Sequence, residues 1–121
     1  MATFYKNAKL RHLATSATTL YTASLVSGDS NSASTNDPTT AIFKSILVSN
    51  DDGSTATTVT LTLTDSSSTV FVLYNEKAVA TDTTVELLTQ PLVVEESEIL
   101  KVTAANASIL DVVASYVEVT R

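Results

Sequence analysis

The residues able to do chemistry are few. His12 is the single histidine and there is no cysteine. A histidine-based triad therefore has one possible base, and disulfides, thiolate nucleophiles and thiolate metal sites are excluded. His12 stands beside Arg11 in a polar N-terminal stretch, where a surface or interface role is expected. Serines are abundant, yet none sits in a strand–turn–helix elbow that would present a nucleophile. Acids are adjacent at Asp51-Asp52 and at Glu95-Glu96, with Glu98 close by. Glycoside hydrolysis needs two carboxyls held across a cleft at a set separation, whereas neighbours in a polar turn diverge and stay hydrated. Asn50, Asp51 and Asp52 before Gly53 offer oxygen to a hard cation, but they lack the alternating spacing and the later bidentate glutamate of a calcium loop. The only glycines are Gly28 and Gly53, so there is no glycine-rich phosphate cradle. The sequence predicts no catalytic residue, no cofactor and no metal, hence a non-enzymatic protein.

The elements that would carry any site are strands. In TTVTLTLT, residues 57–64, Val59, Leu61 and Leu63 alternate with Thr58, Thr60, Thr62 and Thr64. That two-residue period puts the aliphatic side chains on one face and a wet threonine face on the other. Further strands are expected over 20–25, 41–49, 70–74, 84–88, 91–94, 99–104 and 111–120. The segments 41–49 and 111–120 are apolar on both faces; the first is expected to be central, the second central or at a subunit contact. Turn residues stand at 50–53, 65–68, 80–82, 95–97 and 106–108, where Asn, Asp, Ser and Gly tolerate or cap turn conformations. About seven or eight strands at spacings near ten residues predict an all-β fold, a single antiparallel sandwich of immunoglobulin-like or jelly-roll-like type. No segment shows a helical period with caps at both ends. Residues 27–40, SGDSNSASTNDPTT, contain no large apolar side chain and are expected to be a long loop outside the core, either mobile or used for contact.

Charge is unevenly placed. The net charge is −6 and the sequence pI about 4.5, which argues against a broad nucleic-acid footprint. Lys6, Lys9 and Arg11 fall in the first dozen residues with no acid among them, and four bases face all thirteen acids thereafter. The expectation is a basic arm, residues 1–14, ahead of a sandwich domain, residues 15–121. Tyr5, Lys6, Lys9 and Arg11 are the expected assembly contacts, with residues 3–10 able to add to the sheet edge of a neighbouring subunit. Tyr74 and Tyr116 lie in apolar strands and are expected to pack in a core or interface, and the absence of tryptophan leaves no strong aromatic platform for sugars. No apolar run reaches transmembrane length and the N-terminus offers none long enough for a signal peptide, so no membrane partner is expected.

The segments YKNAKL (5–10), TSATTLYTA (15–23), IFKSILVSN (42–50), VTLTLTDSS (59–67), TVELLTQPLVVEESEILKVTA (84–104) and VVASYVEVT (112–120), in this order and spacing, resemble the small β-sandwich structural proteins of tailed, especially marine, bacteriophages. The resemblance spans nearly the whole chain. It implies a virion structural protein made in the host cytoplasm, present in many copies, carrying no catalytic residues and associating with itself and with major capsid or tail proteins as a homo-oligomer. A capsid decoration or cement protein is the leading expectation. The alternatives are a tail, neck, baseplate or fibre-attachment component and a glycan-binding accessory domain. The loop over 27–37 is longer than the usual link in that family.

Overall fold

Alternation of apolar and polar side chains drives two antiparallel sheets to pack face to face. The computed structural model describes residues 2–23, 25–26 and 37–120. Among these it contains ten strands and no helix: β1 (Ala2–Leu10), β2 (Thr18–Thr22), β3 (Leu25–Val26), β4 (Asp37–Asn50), β5 (Thr57–Thr64), β6 (Val70–Val79), β7 (Thr83–Glu86), β8 (Leu92–Val94), β9 (Ile99–Ala104) and β10 (Leu110–Thr120). The six-stranded sheet runs β1-β10-β4, and the far side of β4 is lined in turn by β3, β8 and β7. The four-stranded sheet runs β2-β9-β5-β6. The fold is thus the all-β sandwich that the alternation predicts, and both segments read as apolar on two faces, β4 and β10, are central strands.

The inner faces supply the core. Phe43, Ile46, Val48, Val112 and Ala114 of the larger sheet and Val59, Leu61, Leu100 and Val102 of the smaller are fully buried. Tyr21, Phe43 and Tyr116 meet in an aromatic trio with ring centroids 4.7–5.2 Å apart, close enough for edge-to-face and offset packing to add to burial. Leu13 and Leu87 close the sandwich from connecting segments. Tyr116 packs in the core and Tyr74 is half-buried against it, as their apolar surroundings predict.

Turn chemistry sets the strand ends. Four of the turn signals contain a residue with positive φ: Ser68, Asp82, Ser97 and Ser108. At the β5–β6 hairpin the Asp65 carboxylate accepts from the backbone N–H of Ser67 and of Thr69, each at 2.9 Å. Between β4 and β5, Asn50 is buried; it accepts from Asp52 N–H at 2.9 Å and donates to Thr55 O at 2.9 Å.

Several boundaries differ from the sequence expectation. The segment over 70–74 continues to Val79 because register shifts opposite Val59–Thr62 let the strand bend and stay paired. The strand expected at 20–25 is two, β2 and the short β3. The loop expected over 27–40 ends sooner: residues 37–40 are already β4, paired with β3 and β10. Thr39 there is buried, its hydroxyl 3.5 Å from that of Thr120. Lack of large apolar residues did not keep this end of the segment outside, because a threonine pairs within a sheet as well as a valine does. Residues 27–36, where contact or mobility was expected, lie outside the described residues.

Candidate assembly surface

Residues 2–10, set apart by their charge, form β1, which pairs with β10 of the same chain through nine consecutive residues without a register shift. Successive side chains alternate between faces. The strand therefore separates the four expected contacts. Tyr5 and Lys9 lie on the outer face of the six-stranded sheet, Lys6 lies on the inner side opposite Tyr116, and Arg11 follows the strand's end. Tyr5 is 85% exposed.

Lys6 is committed within the chain. Its ammonium lies 3.0 Å from Glu118 Oε1 while the Tyr21 hydroxyl donates to Glu118 Oε2 at 2.6 Å, so one carboxylate ties β1, β10 and β2 of the opposite sheet together. The bond to Glu118 raises the Lys6 pKa above its ordinary value. Burial, reinforced by the same carboxylate, raises that of the Tyr21 hydroxyl. Both effects favour the protonated forms seen in the geometry.

Cross-strand registers show what else shares Tyr5's face. Tyr5, Val117, Ile42 and Val93 form one row from edge to edge, and Lys9, Val113, Leu47 and Glu86 form another. Val93, Leu47 and Val113 are each 41–50% exposed. This outer face thus carries two apolar rows with the polar Asn7, Ser115 and Lys44 between them, and the second row ends in a base at β1 and an acid at β7. A register shift at Ser115/Tyr116 leaves Lys44 bulged out beside an open depression of about 330 Å³ lined also by Tyr5, Asn7, Ser115 and Val117. The outer face of the other sheet differs. There Thr60 and Thr62 stand opposite Thr103 and Lys101, and the sheet turns apolar on its β6 edge, where Val70 and Val72 are exposed beside Phe71.

Glu86 was missed in the sequence. Its carboxylate accepts from the Ser45 hydroxyl, from Ile46 N–H at 2.7 Å and from Leu88 N–H at 3.2 Å. It fills the gap between β7 and β8, where β4 has no strand partner. Burial pushes this carboxyl up, but the bonds from Ser45 and the backbone outweigh it and hold the pKa below the ordinary value.

The residues weighed for chemistry are dispersed. His12 is exposed in the turn after β1, with φ 54°, and its backbone N–H donates to Asp111 Oδ1 at 2.9 Å. Asp52 Oδ1 accepts from Ser54 N–H and Oγ, both at 2.8 Å, and from Thr55 N–H at 3.0 Å, which lowers its pKa and closes the turn once weighed for calcium. Among the described residues no group of three or more His, Cys, Asp or Glu is placed to hold a metal. Of the tyrosines, Tyr5 alone is largely exposed.

The geometry defines an all-β sandwich whose two outer faces differ and whose larger sheet is basic at one edge and acidic at the other. No family model matches the chain, and no curated protein is significantly similar to it. Among solved structures, the chain is similar to one from the structure of infectious bursal disease virus, Gt strain, at 11% identity and a TM-score of 0.45. That likeness covers 99% of this chain but 31% of the viral one, so this chain spans under a third of its length. A likeness of that size assigns no function.

Proposed function

We propose that this chain is a non-enzymatic structural protein of a tailed-phage virion, a capsid decoration protein that lays the outer face of its six-stranded sheet on a neighbouring protein. The observation that carries the reading is the inequality of the two outer faces. One bears Tyr5, Val117, Ile42, Val93, Val113 and Leu47 from edge to edge; the other is a threonine field whose exposed aliphatics, Val70 and Val72, are confined to its β6 edge. Apolar side chains gathered on an outer sheet face support a protein contact there, and a threonine face tolerates permanent hydration. The chain-long resemblance of the sequence to phage structural proteins supplies the particle. Mass spectrometric quantification of purified virions tests it. Copies comparable in number to the major shell protein are expected; absence from particles overturns the reading.

A tail or neck component is the second reading. It is favoured by β1, a long regular edge strand of the kind that pairs between subunits. A copy number matching one or a few rings would select it over the shell.

A further inference from the structure

We infer that the six-stranded sheet continues from one copy of the chain to the next, the β1 edge of one copy pairing head-to-tail with the β7–β8 edge of its neighbour. The inference rests on the structural role proposed above and names the partner as a second copy.

The edges of the sandwich are not equally protected. Open strand edges pair with other chains unless they are shortened, bulged, covered, or guarded by charge or proline. In the four-stranded sheet, β2 has five residues and a register shift between Thr19 and Tyr21. Its opposite edge, β6, shifts register twice and carries Glu76 at φ 51°. By contrast β1 presents nine residues in unbroken register and contains no proline. Its protection is charge alone, Lys6 and Lys9, which an acidic edge neutralises and a like edge does not.

Charge selects the partner edge. Residues 1–12 hold Lys6, Lys9 and Arg11 and no acid; residues 78–100 hold Asp82, Glu86, Glu95, Glu96 and Glu98 and no lysine or arginine. The second segment contains β7 and β8, the far edge of the same sheet. Pairing β1 with another β1 would set lysine-bearing strands side by side, whereas pairing it with β7–β8 sets opposite charges together.

Direction and register agree. Each of the pairs β1·β10, β10·β4, β4·β7 and β4·β8 is antiparallel. So β1 runs opposite to β7 and β8, and a neighbour added along the sheet meets it antiparallel. In a neighbour added without stagger, the two rows join end to end. Tyr5 then faces the next copy's Val93, an aromatic–β-branched pair, and Lys9 faces the next copy's Glu86. Both are favoured cross-strand pairs on one face. Because the contact uses different surfaces on the two copies, it propagates into a ring or a filament.

The absence of cysteine makes the test direct. Opposed residues of an antiparallel pair have Cα atoms about 4.5–5.5 Å apart, within disulfide range. Tyr5→Cys and Val93→Cys proteins, mixed and mildly oxidised, are expected to give a mixed disulfide in preference to either homodimer, and the chain with both substitutions a ladder. Preferential self-linkage of Tyr5→Cys, or no mixed disulfide up to millimolar protein, overturns the inference. On the cysteine-free chain, Lys9→Glu changes an exposed side chain. It is expected to weaken self-association several-fold in sedimentation equilibrium, as is added salt. A wild-type chain that stays monomeric at all concentrations also overturns the inference. Failure of edge pairing in a protein that still copurifies with particles leaves the structural role standing; absence from particles overturns the role itself.

Discussion

At Glu86, a single carboxylate substitutes for a missing strand. The β4 backbone between the β8 and β7 pairings would otherwise lose a partner at Ile46 N–H, and an unpaired backbone donor is costly. Because the folded pKa is depressed, the carboxylate contributes stability above about pH 4.5, its ordinary value, and that contribution is lost as pH falls through the lower folded value. Glu86→Gln keeps the shape and removes the charge. It should cost about 1 kcal/mol at pH 7, the strength of a charge-assisted bond reduced by solvent exposure. The cost should vanish at pH values below the folded pKa, where wild type is itself protonated. Urea melts of both proteins across pH 2–7 measure this, and a penalty constant with pH would contradict it. Nothing in VELLTQ announced the role: a glutamate in a short strand is ordinarily a solvated residue, and the vacancy it fills exists only once β7 and β8 have docked on β4.

At the scale of the element, β1 is held mainly by its ladder to β10. Thr3 to Asn7 and Lys9 are exposed, and Ala8 and Leu10 are half-buried. Ladder bonds without apolar burial open at low free energy, so β1 amides should exchange with solvent well before those of β4 and β10. We propose that the strand is separable. We place its boundary after Leu10 rather than at residue 14, because Leu13 is buried and its N–H donates to Leu110 O at 2.8 Å. A chain lacking residues 1–10 should still melt cooperatively, with a Tm lower by several degrees, roughly the effect of 1–2 kcal/mol in a domain of this size. Loss of cooperative melting would show β1 to be integral. The strands most legible in the sequence were β5 and β9, which alternate cleanly and match their expected bounds of 57–64 and 99–104. Charge set β1 apart as an arm, since residues 3–10 alternate only weakly and the strand half-buries only Ala8 and Leu10 on its inner face. Bulges hid the second half of β6, where NEK interrupts the apolar run.

For the whole molecule, the difference between its two outer faces is the property on which the proposed function turns, and it was partly visible beforehand. The threonine face follows from TTVTLTLT. The apolar outer face was present in the strands over 41–49 and 111–120, apolar on both sides, but which residues of each strand point outward depends on the bulge at Ser115/Tyr116, beyond which the face of β10 is re-set relative to β4. That face is separable from the edges by mutation. Val113 lies on central strand β10, between Lys9 and Leu47 in register, and is 41% exposed. Val113→Glu places an acid opposite Lys9, an arrangement favourable within the sheet, so folding stability should change by no more than about 0.5 kcal/mol. The same substitution puts a charge in one of the two apolar rows, where burial against a neighbouring protein would leave it desolvated. Incorporation into particles should therefore fall sharply. Thr62→Glu on the wet face should leave it unchanged. Phe71→Glu provides the deciding comparison, because Phe71 belongs to the other exposed apolar group, at the β5–β6 hairpin. If Phe71→Glu blocks incorporation while Val113→Glu does not, the docking surface lies on the hairpin and the six-stranded sheet faces solvent.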